Sequence, residues 1–182
     1  TDAGNNGLWI ATSDGLQHLD IGTGKFTVWH KVPGDPASLA DNQVNALAVD
    51  AGGRLWVGTA AGLDSLAPGS RSFTHHRVAD GDLRYSAVQA LLVDAQQTLW
   101  IGSAGGLERS TGALGAGSGL PGRERLGAAT GIRPGIIASL YEDRDGTIWV
   151  GSYADGLYRW DPRAGRFQGH RHLPGDAHSV SD

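Results

Sequence analysis

Two histidines stand one residue apart in "GHRHL", at His170 and His172. On a strand they share one face, as two ligands of a zinc site can. His75 and His76 form a second pair. Three aspartates, Asp50, Asp94 and Asp143, each close an apolar run and offer catalytic carboxylates. Asp14 and Asp155 fall at comparable points in two copies of one repeated phrase, and a glycoside hydrolase needs two carboxylates facing across a cleft. Asn42, Tyr85, Arg133 and Tyr153 add amide, aromatic and guanidinium groups, the types that stack on a sugar and bond its hydroxyls.

The surroundings weaken most of the catalytic and metal readings. No acidic third ligand is placed beside either histidine pair. Both pairs fall where a fourth, outermost strand is expected, and they read as an exposed polar edge that discourages strand addition. The three aspartates each precede a tight turn, so turn chemistry is the better reading. No Ser-His-Asp arrangement or calcium loop is present, and the Gly-rich "GALGAGSGLPG" lacks the Lys-Ser/Thr and helix of a phosphate loop. No catalytic residue, no cofactor and no metal is expected. With Cys 0, disulfides, thiolate metal sites and a Cys nucleophile are excluded. The net charge of −4 argues against a nucleic-acid footprint. No apolar run reaches the length of a membrane span, so no direct membrane insertion by this segment is expected. Met 0 and the opening "TDAG" suggest a piece of a longer chain.

The elements that position these residues come from a repeat. Trp9, Trp56, Trp100 and Trp149 lie 47, 44 and 49 residues apart in "LWIATSDGL", "LWVGTAAGL", "LWIGSAGGL" and "IWVGSYADGL". Ahead of the last three stand short apolar runs, "QVNALAVD", "SAVQALLVD" and "GIIASLYED", each followed by turn residues such as "RDGT". Strand, tight turn, strand is a hairpin signal. After each Gly-Leu come a third strand, a turn and, in three copies, a fourth strand such as "FTHHRV". Four antiparallel strands at this period predict an all-β fold, a β-propeller made of four-stranded blades. The repeats run roughly 1–42, 43–85, 86–134 and 135–182, and the first lacks its inner strand. Four blades with an open seam imply part of a larger ring, or copies that assemble edge to edge.

Blade packing explains the residue choices. The Trp supplies a large contact between blades. The small residue two positions on (Ala11, Gly58, Gly102 or Gly151) lets a neighbour approach closely. Two copies depart from the pattern. The third continues after "GLERS" with a long Gly-rich stretch, which predicts a loop and a degraded strand near 123–129. The fourth has one residue more between Trp149 and Leu157, which predicts a longer turn around Tyr153 to Asp155.

"DNQVNALAVDAGGRLWVGTAAGL" and "DRDGTIWVGSYADGLYRWDPRAGRFQGHRHLPGDAHSVSD" resemble the two-component regulator propeller repeat. The resemblance covers nearly the whole chain and is weakest at 108–131. It implies a non-catalytic, periplasmic sensor region of a bacterial inner-membrane signalling protein, relaying to a histidine kinase or a diguanylate cyclase. It also implies a carbohydrate or other small ligand. Expected partners are that ligand and the remaining blades of the parent chain or another copy. The face made by the outer-to-inner connections and the loops after the second strands is the expected ligand face. From their loop positions on that face, Asn42, Tyr85, Arg133, Tyr153 and Asp155 are the expected ligand contacts, the first three pointing toward the central channel. Two other readings stay open: a propeller glycoside hydrolase or lyase using Asp14 and Asp155, and a pure protein-interaction scaffold.

Overall fold

A computed structural model describes residues 7–76, 87–115, 119–133, 135–172, 176 and 179. Blade 1 is a three-stranded sheet of β1 (Gly7–Thr12), β2 (Gly15–Asp20) and β3 (Lys25–Trp29). Blade 2 holds β4 (Val44–Val49), β5 (Leu55–Thr59), β6 (Gly62–Leu66) and β7 (Phe73–His76). Blade 3 holds β8 (Val88–Val93), β9 (Leu99–Ser103), β10 (Gly106–Ser110) and β11 (Arg123–Leu126). Blade 4 holds β12 (Ile137–Glu142), β13 (Ile148–Ser152), β14 (Gly156–Asp161) and β15 (Arg166–His170). Strand order in space is chain order, every pairing is antiparallel, and β4, β8 and β12 pack side by side.

Each inner hairpin is closed by its aspartate in two ways. One carboxylate oxygen of Asp50 accepts the Gly52 and Arg54 N–H groups, and the other accepts the Trp56 indole N–H at 3.1 Å. Asp94 and Asp143 do the same for Trp100 and Trp149, both at 2.8 Å. The buried indole thus has the partner that its donor requires. For Asp143 the Trp149 bond is the leading cause of a pKa below the ordinary carboxylate value. Neighbouring blades also clamp these turns: Gln97 Oε1 accepts the Ala51 N–H, and Glu142 Oε2 accepts the Ala95 N–H.

Three apolar cores lie between successive blades. Between blades 1 and 2, Leu16, Trp9 and Trp29 meet Leu55, Val57, Leu66 and Phe73. Between blades 2 and 3, Trp56 and Leu63 meet Leu99 and Ile101, joined by Leu114. Between blades 3 and 4, Trp100 and Leu107 meet Ile148, Val150, Trp160 and Phe167. Each fully buried Leu, Ile or Val here contributes about 1.5–3 kcal/mol of transfer free energy. Gly58 and Gly102 let the next inner strand close in. A Cβ on Gly58 would lie 2.5 Å from the Val88 side chain, and one on Gly102 would lie 2.7 Å from that of Ile137.

The irregular third repeat keeps a short β11 and adds a 3-10 turn at Ala128–Thr130. Its long loop returns through the Leu114 N–H to the Gln97 carbonyl, placing Leu114 in a core where the flanking ones have Phe73 and Phe167. The inner strands also slip register near their starts, between Val44 and Ala46, Val88 and Ala90, and Ile137 and Ser139. No sequence signal announced these slips.

Candidate functional site

The loops after the second strands and the outer-to-inner connections form one face. The Ala60 N–H donates to the Gln43 carbonyl, Ala104 to Ala87, and Tyr153 to Ile136. In blade 1 the Gly15 N–H reaches the Asn42 carbonyl. Two-residue turns join the middle strands of blades 1 to 3, stapled by a hydroxyl: Thr59 Oγ1 accepts the Ala61 N–H and donates to the Gly62 carbonyl. Blade 4 has the three-residue turn 153–155 instead.

That longer turn meets the chain arriving from blade 3. The 3-10 turn ends at Gly131, whose φ of 86° and close approach to the Phe167 carbonyl both favour glycine. Beyond it, Ile132 enters the core and Arg133 emerges. The Arg133 N–H donates to the hydroxyl of Tyr158, whose ring is fully buried. That hydroxyl in turn donates to the Asp155 carboxylate. Arg133 Nη1 lies 3.5 Å from Asp155 Oδ1, and Arg171 Nε, just past β15, lies 3.2 Å from the same oxygen. One sparingly exposed carboxylate therefore sits between two guanidinium groups, and the trio carries a net positive charge. Tyr153, two residues before Asp155 in the same turn, is 80% exposed.

Of the five residues singled out from sequence, the structure brings Arg133 and Asp155 into contact, with Tyr153 in the same turn. Asn42 serves its own connection: its side-chain oxygen accepts the Lys31 N–H at 2.6 Å. Tyr85 lies outside the described residues. Sequence reading missed Arg171, for no repeat position flags it, and missed Tyr158, which a repeat reading treats as core.

The exposed-edge reading fits His75, which stays exposed while bonding across the β6–β7 pairing, whereas His76 is half-buried. His75 Nδ1 is 2.7 Å from Asp64, and His76 Nε2 is 2.9 Å from Ser65 Oγ. His76 also packs on the Trp56 ring at 5.2 Å between centroids. Burial, and secondarily Arg123, Arg54 and His75, pushes the His76 pKa down to about 4. Burial raises that of Asp64 against the opposing pull of its His75 bond. The other Asp64 oxygen accepts the Ala40 N–H, tying blade 2 to the connection that enters it. His170 packs on Trp149.

The hydrolase reading needs two available carboxylates. Asp14 is an exposed turn residue of blade 1, with His30 at 3.8 Å, whereas Asp155 of blade 4 is held by the Tyr158 hydroxyl and by ion pairs with Arg133 and Arg171. A cavity of about 510 Å³ lies at the opposite end of the strands, lined by Trp9 and Trp29 and by the turns 51–53 and 67–71 of blade 2. Among the described residues, none of Asn42, Arg133, Tyr153 and Asp155 lines it.

The architecture is that of consecutive β-propeller blades. More particularly, two stretches of the chain, residues 38–61 and 131–154, match the two-component regulator propeller family. No curated protein matches the sequence. Among solved structures it resembles an extracellular domain from B. thetaiotaomicron, described as that of the hybrid two component system BT4673. The TM-score is 0.79 and the identity 22%, over 99% of this chain and 23% of that one. It also resembles virginiamycin B lyase from Staphylococcus aureus, with a TM-score of 0.67 and 15% identity over 98% of this chain and 56% of the lyase. A third relative is an ancestral GH74 enzyme, with a TM-score of 0.64 and 17% identity over 97% of this chain and 23% of the enzyme. At these identities the likeness is one of fold. Among the described residues no helix is long and apolar enough to cross a membrane.

Proposed function

We propose that the chain is a ligand-sensing segment of an extracytoplasmic receptor, periplasmic and non-catalytic, whose ligand state is relayed to a kinase or cyclase output. The family of the repeats supports the receptor reading. The observation that carries the ligand site is the Arg133–Asp155–Arg171 trio, with the exposed Tyr153 in the same turn as Asp155. An exposed aromatic face suits stacking on a sugar. Two guanidinium groups against one carboxylate favour a saccharide that bears an acidic group, since guanidinium pairs with carboxylate in a forked geometry. Ligand and Asp155 would then compete for the same arginines, so binding would loosen the tie between the turn 153–155 and the incoming connection. A ligand shifts a receptor only by preferring one arrangement, and this trade of partners supplies such a preference. Calorimetric titration with a uronic-acid oligosaccharide tests the site: heat of binding is expected, and it should be lost in Arg133→Ala.

The Tyr158 hydrogen bond and the two arginine ion pairs on Asp155 favour this reading over hydrolysis, because a general acid or nucleophile must be free to exchange protons or attack. Product analysis of the same mixture separates the two, with intact oligosaccharide expected.

A further inference from the structure

The cavity of about 510 Å³ between blades 1 and 2 has no part in the trio, which lies at the other end of the strands. Its volume falls in the range of about 300–1,000 Å³ that small-molecule sites span. Its walls belong to two blades that already face each other. An inner strand of blade 1 would pair along the free edge of β1, whereas the cavity reaches out to β3 and to the outer turn 67–71 of blade 2.

The next interface shows why the space is there. Blade 3 has Gln97 where blade 2 has Gly53, both at positive φ, and Gln97 reaches back to bond the Ala51 N–H of the blade before it. Leu114, from the stretch that follows β10 as 67–71 follows β6, is buried in the Trp56 core. Between blades 1 and 2 neither plug is present. Gly53 has no side chain to reach back with. In the turn 67–71, a Cβ on Gly69 would meet nothing within 4 Å, and Arg71 is exposed.

The lining has one chemical character. The indoles of Trp9 and Trp29 are half-buried with centroids 5.3 Å apart, and Leu66 and Pro68 add apolar surface. The polar groups of the turns are engaged. The Gly52 N–H donates to the Asp50 carboxylate and the Gly53 N–H to the Asp50 carbonyl. The Ser70 N–H donates to the Ala67 carbonyl and the Ser70 hydroxyl to that of Ser72. A polyhydroxylated sugar would find few partners on such a wall. Among the described lining residues only Arg71 is charged, and its guanidinium makes no hydrogen bond or ion pair among the described residues.

We propose that this cavity is a second binding site, one that takes a planar aromatic carboxylate. The ring lies against the Trp9 and Trp29 indoles, and the carboxylate pairs with the unengaged Arg71 guanidinium. The site stands independently of the Arg133–Asp155–Arg171 trio.

Calorimetric titration with cinnamate tests it, with cinnamamide as the neutral twin. Saturable binding is expected with a Kd below about 1 mM, and the amide should bind roughly tenfold more weakly or worse. Arg71→Ala, a change at an exposed residue, should weaken cinnamate roughly tenfold. Gly53→Gln installs the residue that blade 3 carries at the same backbone position, and it should weaken binding by filling the space. Arg133→Ala should bind cinnamate as wild type does. Far-UV circular dichroism establishes that each variant tested is folded. Absence of saturable binding, equal binding of acid and amide, unchanged binding in folded Arg71→Ala or Gly53→Gln, or loss of binding in Arg133→Ala would each overturn the proposal.

Discussion

Gly102→Ala is expected to destabilise the chain, although the usual effect of such a change has the opposite sign. Gly102 lies in β9 and is not among the glycines with positive φ. Where alanine fits, replacing glycine stabilises by about 0.4–1 kcal/mol, because the unfolded chain loses freedom. Here the new methyl would sit 2.7 Å from Ile137 Cγ2 and 3.3 Å from Ala90 Cβ. Ile137 is fully buried in the core between blades 3 and 4 and has no open side to retreat into. Overpacking a filled core costs about 1–3 kcal/mol. The net loss should be about 1–2 kcal/mol, or roughly 2–8 °C in Tm for a chain of this size. Ile137→Ala alone should cost about 2–5 kcal/mol through its cavity. Combined, the two should cost less than their sum by about 1–2 kcal/mol, because the truncated side chain makes room for the methyl. Urea titration followed by tryptophan fluorescence gives all three values. A neutral or stabilising Gly102→Ala, or additivity within about 0.5 kcal/mol, would refute the close blade contact.

Two further outcomes follow from hydrogen bonds and titration. Asp94→Ala strands the buried Trp100 indole N–H and the Thr98 N–H, so it should cost about 2–4 kcal/mol in urea titration. The exposed Asp145→Ala in the equivalent blade 4 turn should stay within about 0.5 kcal/mol, and equal losses would show that the indole bond adds nothing. Burial keeps folded His76 neutral down to about pH 4. The unfolded chain therefore takes up that proton first as pH falls below about 6.5, and stability is lost from there toward pH 4, at up to about 1.4 kcal/mol per pH unit. In His76→Gln the urea midpoint should fall less between pH 7 and pH 5 than in wild type, and identical falls would contradict a buried neutral imidazole.

The architecture was legible because a blade must pack on its neighbours, and that demand repeats in sequence. Trp, the small residue two places on and the Gly-Leu mark the second and third strands in all four copies. The extra residue before Leu157 foretold the longer turn at 153–155, and the broken third copy foretold a short β11. Contacts between distant segments were not legible. A constant six-residue offset links each hairpin Asp to its Trp, yet offset alone does not say that the carboxylate turns back to bond the indole. The cross-strand bonds of His75 to Asp64 and of His76 to Ser65, and the partial burial of His76, depend on the β6–β7 pairing, which composition alone does not show. Arg133 and Asp155 were both picked out from loops, but their pairing rests on the 3-10 turn seated against β15, and Arg171 joins only because β15 ends there.

The sensing account is tested most directly by titrating an oligogalacturonide into the chain by calorimetry, with a neutral oligosaccharide of equal length alongside. Saturable heat is predicted with the acidic sugar, weaker or no heat with the neutral one, loss of the signal in Arg133→Ala and Tyr153→Ala, and recovery of the sugar uncleaved. Absence of heat with both sugars, unchanged heat in both variants, or cleavage of the sugar would contradict it.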